Sequence, residues 1–492
     1  MTDTTPRTRP PVPGGTPAAQ VAAGQVPAAS AAQVAAGQVP AASAAQVAAG
    51  QVRAASAAQA PAPLPPDVPL PPGTATPAYV YDLDAVRAAH ARLRSWLPEP
   101  SELYYSLKAN PHPAVVAALY ALGCRAEVSS PGELDAALEA GVPAGDILYT
   151  GPGKRDEDLD GALAAGVRDF AVDSLYGIGQ LDRAAARHGV RAGYLLRVNP
   201  GGGSRGAGLR MTGDPSAFGA DAGHIAAHPE RYAGGDHARI TGLHLYLATN
   251  ISDEQALGDS FGEAIAVART LHEALGVPLR TVDLGGGFGA PYARSGELPA
   301  YPGLADRLAG ALDAALPGWR RGAPSVAFES GRYLTATCGR LLTRVLDVKQ
   351  SHGQRVVVLD TGINHLGGMA GLRRVPPLHP DVVPAGAGAP GAAAADGPPD
   401  GTGARGRDGG EPPGPAMICG PLCTPLDMWA RSHDLPAVAP GDLLAVPNTG
   451  AYGLHASLVL FLGHPAPAEI VTDGGRVVRS DRLTFVRRPA AG

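Results

Sequence analysis

The chain has 492 residues and a net charge of −5 with histidine neutral, which leaves room for two or three domains at roughly 150 residues each. It has no dense block of lysine and arginine, so neither nucleic acid nor an anionic membrane surface is an expected partner. No apolar run reaches the roughly 20 residues that a membrane-spanning helix needs, and the N-terminus does not read as a secretory signal. The four cysteines lack the spacing of a metal site, and their small number fits a reducing cytosol, so a cytoplasmic location is expected.

Two stretches of low complexity stand apart from the rest of the chain. Residues 18–30 read AAQVAAGQVPAAS, and this segment recurs at 31–43 and, with Arg53 in place of proline, at 44–56. Because the repeat is rich in alanine and contains glycine and proline, it buries little surface, and residues 1–74 are predicted to be a disordered tail. Residues 384–415 are mostly glycine, alanine, proline and aspartate, and they are predicted to be a disordered insertion in a surface loop.

Strand-like and helix-like segments alternate between residues 102 and 330. Helical patterns are read at 113–122, 132–140, 175–187, 254–275 and 302–316, and strands at 102–107, 125–130, 147–150, 169–174, 193–199, 240–247, 280–287 and 325–330. Such alternation implies parallel strands, and eight units predict a (β/α)8 TIM barrel over residues 75–335, although a doubly wound sheet is also compatible with alternation alone. Beyond it, strands without long helices predict a mostly β C-terminal domain over residues 336–492.

Polar residues and glycines follow several of the predicted barrel strands. In this fold the active site forms at the C-terminal ends of the strands. Taken singly, a lysine there is usually solvated, a triple glycine is usually a tight turn, and a glutamate near an arginine is usually a surface ion pair. Their joint occurrence predicts a site, in which the glycine loop offers backbone N–H groups to a phosphate. The residues are Lys108, Arg197, Asn199, His244, Tyr246, Gly285, Gly286, Gly287, Glu329, Gly331 and Arg332.

The sequence resembles the barrel-type (fold type III) pyridoxal-phosphate (PLP) decarboxylases that act on diaminopimelate, ornithine and arginine. The resemblance covers residues 77–380 and 417–490 and rests on ten segments in family order: YSLKANPHP, EVSSPGELDAAL, VDS, LRVNP, GLHLYL, DLGGGFG, FESGRYL, LDTGINHL, GPLCTPLD and GAYG. It implies an alanine racemase-like barrel with a C-terminal β domain, PLP as cofactor, and a homodimer with shared active sites.

The resemblance also implies roles for individual residues. Lys108 would hold PLP as a Schiff base, Glu329 would pair with the pyridine nitrogen, and Cys423 would reach the active site of the partner subunit. Catalytic roles fall to Lys108, His244, Glu329 and Cys423, and cofactor contacts to Lys108, Arg197, His244, Tyr246, Gly285, Gly286, Gly287, Glu329, Arg332 and Tyr452. Substrate contacts are expected from Thr424, Asp427 and Arg374.

Elementary chemistry supports three of these roles. A carboxylate beside the pyridine nitrogen keeps that nitrogen protonated, so the ring accepts the electron pair left when CO₂ departs. The lysine must be neutral to form a Schiff base, and we expect desolvation and a cationic neighbour to lower its pKa. A cysteine in a polar pocket can supply the proton that replaces CO₂. For Cys419 we expect a packing role.

Two positions depart from the family's pattern. The family usually has HxH at the sixth strand, with the second histidine stacked on the cofactor ring, whereas here His244 is followed by Tyr246. The family usually has an acidic residue after the motif cysteine, which binds the distal ammonium group of the substrate, whereas here that residue is Thr424. The GPLCTPLD form resembles a sub-branch whose substrate is acylated or tethered to a carrier protein at its distal end.

Two other functions are compatible with the same architecture. An amino-acid racemase usually places an arginine at the pyridine nitrogen, so Glu329 favours a decarboxylase. A non-catalytic regulator of this fold would lose cofactor residues, whereas Lys108, Glu329, Arg332 and Cys423 are all present. The sequence therefore predicts a PLP-dependent amino-acid decarboxylase.

Overall fold

A computed structural model describes residues 75–201, 215–367, 379–385 and 413–489. The predicted tail, most of the predicted insertion and Arg374 lie outside these ranges. The first described strand, β1 (Ala78–Asp82), leads directly into helix α1 (Leu83–Arg94). The side chain of Asp82 begins this helix by accepting a hydrogen bond from the backbone N–H of Asp84 at 2.9 Å.

Within the described residues, eight parallel strands form a closed barrel. Neighbouring strands pair in chain order, and the eighth pairs with the first, with Glu329 opposite Tyr104. This confirms the barrel and excludes the doubly wound sheet. The strands are β2 (Glu102–Ser106), β3 (Arg125–Val128), β4 (Ile147–Tyr149), β5 (Asp169–Val172), β6 (Ala192–Asn199), β8 (Ala238–Leu245), β9 (Thr281–Asp283) and β10 (Ser325–Ser330), while the two-residue β7 (Ala220–Asp221) pairs with the end of β6.

Several of the barrel helices begin at polar residues that cap them. The hydroxyl of Ser130 accepts a hydrogen bond from the N–H of Glu133 at 3.2 Å, and the carboxylate of Asp253 accepts one from Ala256 at 2.8 Å. The helices are α2 (Pro113–Ala121), α3 (Pro131–Glu139), α4 (Asp156–Ala165), α5 (Leu175–Arg187), α6 (Ala222–Ala227), α7 (Glu254–Leu275), α8 (Leu304–Ala315) and α9 (Arg332–Thr335). None of the described helices is long and apolar enough to cross a membrane.

The C-terminal part of the chain forms a second sheet. Its strands are β11 (Gly339–Ser351), β12 (Gln354–Leu359), β13 (Val383–Pro384), β14 (Gly414–Cys419), β15 (Met428–Leu435), β16 (Leu443–Val446), β17 (Ala468–Asp473) and β18 (Arg476–Arg482). The main path of the sheet runs β15–β14–β12–β11–β1–β17–β18, and β16 pairs with β11 and β13. The predicted insertion therefore has strands at both of its ends.

Strand β1 belongs to a different sheet from the one that its place in the predicted domain range implies. Residues 78–82 fall within the range assigned to the barrel, but β1 lies inside the second sheet, antiparallel to β11 and parallel to β17. Its side chains from Ala78 to Tyr81 are buried, as expected for a central strand. Because β1 is followed by a helix, its local pattern is the same as that of a barrel unit, and only long-range pairing reveals its sheet.

Candidate active site

Lys108 lies at the C-terminal end of the first barrel strand. Strand β2 ends at Ser106, and the short 3₁₀ turn Leu107–Ala109 carries the lysine. Its Nζ is 3.2 Å from Oε2 of Glu127, which is 2% exposed on the neighbouring strand β3. The other oxygen of Glu127 accepts a hydrogen bond from the hydroxyl of Thr150. The amine thus faces a buried carboxylate that is fixed from its other side.

The pKa of Lys108 does not shift in the direction that we expected. Burial alone lowers the pKa of this amine, but the carboxylates of Glu127 and Glu329 more than compensate, so its pKa lies above the ordinary value. The side chain is nevertheless 40% exposed, which leaves the amine accessible in the barrel mouth.

Lys154 is a second amine at this end of the barrel. Its Nζ donates hydrogen bonds to the backbone oxygens of Gly151 and Ala171, the second at 2.7 Å. Burial lowers its pKa to about 8, and Arg197 acts in the same direction while Asp173 opposes it. Because both carbonyls lie at strand ends, Lys154 links the loop after β4 to β5.

The glycine loop after β9 packs too closely for any side chain. A Cβ on Gly285 would lie 2.6 Å from the backbone oxygen of Leu245, and one on Gly286 would lie 2.3 Å from that of Glu329. The loop is also hydrogen bonded to both sides, because Gly285 N–H donates to Oδ1 of Asp283 at 2.8 Å and Glu329 N–H donates to the oxygen of Gly285 at 2.8 Å. These contacts fix the loop directly beside the end of β10.

Three buried ionisable groups meet below this loop. One ligand-type atom from each of His244, Asp283 and Glu329 lies within 4.8 Å of the others, and all three residues are at most 2% exposed. His244 Nε2 is 3.2 Å from Glu329 Oε1, an ion-pair distance without the alignment of a hydrogen bond.

The pKa values of the three groups follow from their proximity. Burial raises the pKa of Asp283 to about 7, with Glu329 adding to the effect and His244 opposing it. For Glu329, burial is outweighed by the cations of His244, Lys108 and Arg197, so its pKa is lowered. Burial lowers the pKa of His244, but Glu329 and Asp283 raise it more. Glu329 is therefore the ionised carboxylate of the group.

A loop of the second domain reaches the barrel mouth. Tyr452 N–H donates to the backbone oxygen of Ala109 at 2.8 Å, and the ring of Tyr452 lies 4.6 Å from the guanidinium carbon of Arg332. Tyr452 has a φ of 56°, which is uncommon for a residue other than glycine and indicates that the surrounding contacts impose its conformation. The hydroxyl of Tyr292 supports it by donating to its backbone oxygen at 2.9 Å.

The GPLCTPLD segment forms a separate loop that Asp427 holds together. Oδ1 of Asp427 accepts the backbone N–H of Ile363 at 2.8 Å, and Oδ2 accepts that of Leu422 at 2.8 Å. Cys423 is exposed, and the hydroxyl of Thr424 accepts the N–H of Leu426 at 3.3 Å within the same turn. Asp427 itself is only 3% exposed.

The structure thus brings together most of the predicted site residues at the C-terminal end of the barrel. Cys423, Thr424 and Asp427 lie on their own loop, and Arg374 falls outside the described residues. The residues assembled around the mouth are Lys108, Arg197, His244, Tyr246, Gly285, Gly286, Gly287, Glu329, Arg332 and Tyr452.

Comparison with known proteins assigns the family. The model for the pyridoxal binding domain of pyridoxal-dependent decarboxylases matches residues 83–336. The chain belongs to the pyridoxal-dependent decarboxylases. The prediction of a PLP-dependent decarboxylase is thereby confirmed, and the racemase and regulator alternatives are not supported.

Individual relatives of this decarboxylase differ in substrate. It is 31% identical to the L-glutamyl-[BtrI acyl-carrier protein] decarboxylase of Niallia circulans, over 81% of this chain and 89% of the relative. It is 32% identical to the diaminopimelate decarboxylase of Methanothermobacter thermautotrophicus, over 83% and 90%. Its fold matches that of the Helicobacter pylori diaminopimelate decarboxylase complexed with L-lysine, with a TM-score of 0.67 and 22% identity over 84% of this chain and 95% of that one.

The residues of this decarboxylase fit PLP. A buried polar atom without a hydrogen bond is costly, so each such atom in the mouth is suited to a polar ligand. In and around the mouth, atoms of this kind include Arg197 Nε, His244 Nδ1, Asp283 Oδ2, Ser330 Oγ and Arg332 Nε. Beside these atoms, the amine of Lys108 suits an aldehyde, the close-packed glycine loop suits a phosphate, and the buried carboxylate of Glu329 suits a pyridine nitrogen.

Sequence reasoning missed three residues of this decarboxylase that the geometry brings into the site. Glu127 and Asp283 are charged residues within the short barrel strands β3 and β9, and Lys154 lies in the loop that follows β4. That position was the available signal, because a charge in a barrel strand is costly unless it is paired or functional. Asp283 lies only two residues before Gly285, where the glycine loop is the stronger sequence signal.

Proposed function

We propose that the substrate of this decarboxylase is an amino acid whose distal end is neutral, either acylated or tethered to a carrier protein. The observation that carries the proposal is the loop around Thr424. Thr424 has no charge, and both oxygens of Asp427, the nearest acidic residue in the loop, are occupied by backbone N–H groups. A distal ammonium bound at this loop would lack a counter-charge, which costs several kcal/mol in a dry site.

The relatives support this substrate class without deciding it. One relative acts on a glutamyl group carried by an acyl-carrier protein, and another acts on diaminopimelate, at nearly equal identity. Overall similarity therefore does not distinguish the two substrate types, and the local chemistry of the Thr424 loop must do so.

We assign roles in the site as follows. Lys108 would bind the cofactor covalently, Glu329 would pair with the pyridine nitrogen, and the glycine loop, Arg332 and Tyr452 would hold the phosphate. PLP, when bound, accepts the electron pair of the broken Cα–carboxylate bond. Glu329 is ionised and buried, so it keeps a proton on the facing nitrogen. After CO₂ has left, the Cys423 thiol would supply the proton that takes its place on Cα, and the product is an amine.

We further propose that the protein is a cytoplasmic homodimer in which Cys423 serves the site of the other subunit. Leu426, three residues from Cys423, is 75% exposed, and Leu458, Leu460, Phe461 and Leu462 are exposed as well. A group of large exposed apolar side chains favours an interface. The four cysteines are unpaired, which fits a reducing compartment. Mixing Lys108→Ala and Cys423→Ala subunits should restore activity in heterodimers. If the mixture stays inactive while heterodimers form, Cys423 does not act across the interface.

The substrate proposal is tested by comparing kcat/KM for diaminopimelate, ornithine, N-acylated diamino acids and a glutamyl carrier protein. The neutral or tethered substrates should be turned over best. Thr424→Glu should raise kcat/KM for free diamino acids, because it supplies the missing counter-charge. Thr424→Ser is the matched control, since it keeps the hydroxyl and stays neutral, and it should not raise that activity.

Two results would contradict the proposal. One is a wild-type preference for a free diamino acid. The other is a Thr424→Glu variant that binds PLP normally and gains nothing with ornithine or diaminopimelate. In that case another carboxylate binds the distal ammonium group of the substrate, and Thr424 does not determine which substrate is preferred.

A further inference from the structure

Positive charge is concentrated in the last strand and the residues that follow it. Residues 476–488 read RVVRSDRLTFVRR and contain five arginines and one aspartate, although the whole chain has a net charge of −5. Elsewhere, exposed arginines such as Arg307 beside Asp259 are neutralised by an acidic partner. Four arginines of the segment are exposed and have no ion-pair partner within the described residues, namely Arg476, Arg482, Arg487 and Arg488.

Large apolar side chains are exposed among these arginines. Val478 is 57% exposed, Phe485 is 53% exposed and Val486 is 73% exposed. Strand β18 ends the main path of its sheet, and among the described strands it pairs only with β17. Charges alone protect an unpaired edge from other chains, whereas exposed apolar side chains work against that protection and favour a specific contact. Arginine and aromatic side chains are also the types enriched in protein interfaces. We call the exposed side chains of residues 476–488 the C-terminal basic face.

The C-terminal basic face lies beside the loop that carries Lys108. Within its segment, Oδ2 of Asp481 is 3.3 Å from Nε2 of His112. His112 follows Lys108 by four residues, which span at most about 14 Å when fully extended. Arg479 pairs with Asp481 and with Glu139 at the end of α3, so β18 is held against the barrel. The face therefore borders the proposed cofactor lysine from the outside of the barrel mouth.

We infer that the C-terminal basic face is the docking surface for the carrier protein to which the substrate is tethered, and that it binds an acidic surface of that protein. The inference rests on the proposed substrate class, from which it selects the tethered form. A tethered amino acid arrives on a protein that stays outside the barrel while the reacting group enters the mouth. The enzyme then needs a contact surface beside the mouth, and opposite charges across that surface speed the encounter and favour the correct partner.

The test uses the full-length, PLP-loaded protein and one glutamyl group in two forms. The group is attached either to an acidic acyl-carrier protein or to pantetheine, which has no protein surface. Arg476→Glu/Arg482→Glu should raise KM for the carrier-linked form about tenfold and leave turnover of the pantetheine form unchanged, because only the carrier touches the face. Affinity for the holo-carrier protein without an amino acid, measured by calorimetry, should fall by the same factor. The wild-type KM for the carrier-linked form should rise with salt, and the variant should lose most of that dependence.

A matched control keeps the change in net charge and moves it away from the face. Arg269, in the last two turns of α7, and Arg321, just before β10, are exposed at the opposite end of the barrel. Arg269→Glu/Arg321→Glu should behave like wild type with both substrate forms.

Three results would overturn the inference. The first is an equal KM for the carrier-linked form in the two double variants. The second is a pantetheine form that is used as well as the carrier-linked form by the wild type. The third is an Arg476→Glu/Arg482→Glu variant that elutes as a smaller species than wild type in size-exclusion chromatography, since the face is then a contact between subunits. Turnover of neither form contradicts the proposed substrate class instead, and the affinity for the holo-carrier protein then decides whether the face docks it.

Discussion

Nζ of Lys108 lies 3.2 Å from Oε2 of Glu127, so the amine that must lose its proton is paired with a buried carboxylate. Sequence reasoning anticipated the lysine but not its partner, and it expected a cationic neighbour. The pairing makes the protonation of Lys108 dependent on Glu127, and the role that we propose for Lys108 makes the attachment of PLP depend on it as well.

We expect Glu127→Gln to speed the attachment of PLP to the apoprotein at neutral pH. The carboxylate stabilises the charged amine and raises its pKa, so removing the charge lowers that pKa and increases the neutral fraction. Stopped-flow absorbance should show the pH midpoint of the attachment rate moving downward. Glu102→Gln at the opposite end of the barrel is the control and should leave the midpoint in place. A Glu127→Gln midpoint equal to that of wild type removes Glu127 from this role.

Borohydride reduction of the PLP-loaded protein should label Lys108. The chain has only three lysines, Lys108, Lys154 and Lys349, so peptide mapping is unambiguous. Lys154 is the serious competitor, because burial lowers its pKa to about 8. Its hydrogen bonds to two backbone carbonyls should nevertheless keep it in place. Lys154→Met should retain the label and Lys108→Ala should lose it. Label on Lys154 would reassign the cofactor-binding amine.

Glu329→Gln should slow decarboxylation by about 100-fold, which corresponds to roughly 3 kcal/mol of lost charge stabilisation. The amide keeps the shape of the side chain but leaves the pyridine nitrogen less protonated. Single-turnover measurement of CO₂ release isolates the chemical step. PLP affinity should be measured in parallel, since a loss of cofactor would mimic the effect. An unchanged single-turnover rate in the PLP-saturated variant contradicts the role.

Asp427→Asn should loosen the loop that carries Cys423 without affecting PLP binding. Both oxygens of Asp427 accept backbone N–H groups, and an amide can accept only one of them, so one buried N–H loses its partner at a cost of about 1–3 kcal/mol. We expect lower turnover and faster alkylation of Cys423. Asp434→Asn, at an exposed position on β15, is the control. Equal turnover in both variants would show that the loop does not depend on Asp427.

The fold and much of the site follow from local sequence patterns, because strand alternation and strand-end residues are short-range signals. Tyr246, whose ring lies beside Lys108, shows what such local patterns cannot predict. The letters LHLY show an aromatic residue at position 246, but only the structure shows that it borders both Lys108 and Gly285. Likewise, nothing in the local sequence AYVYD shows to which sheet β1 belongs. No local sequence signal predicts that both carboxylate oxygens of Asp427 accept hydrogen bonds from backbone N–H groups.

The placement of β1 has a consequence for how the protein is made. The hydroxyl of Tyr81 in β1 hydrogen bonds to Glu469 in β17, 388 residues further along the chain. During synthesis the ribosome releases β1 long before either of its neighbours in the sheet, while the barrel between them can begin to form. An exposed strand edge of this kind invites pairing with other chains. A nascent chain stalled before residue 339, where β11 begins, should therefore hold a partly folded barrel with an unpaired N-terminal strand, and it is at this stage that we expect chaperone binding or aggregation.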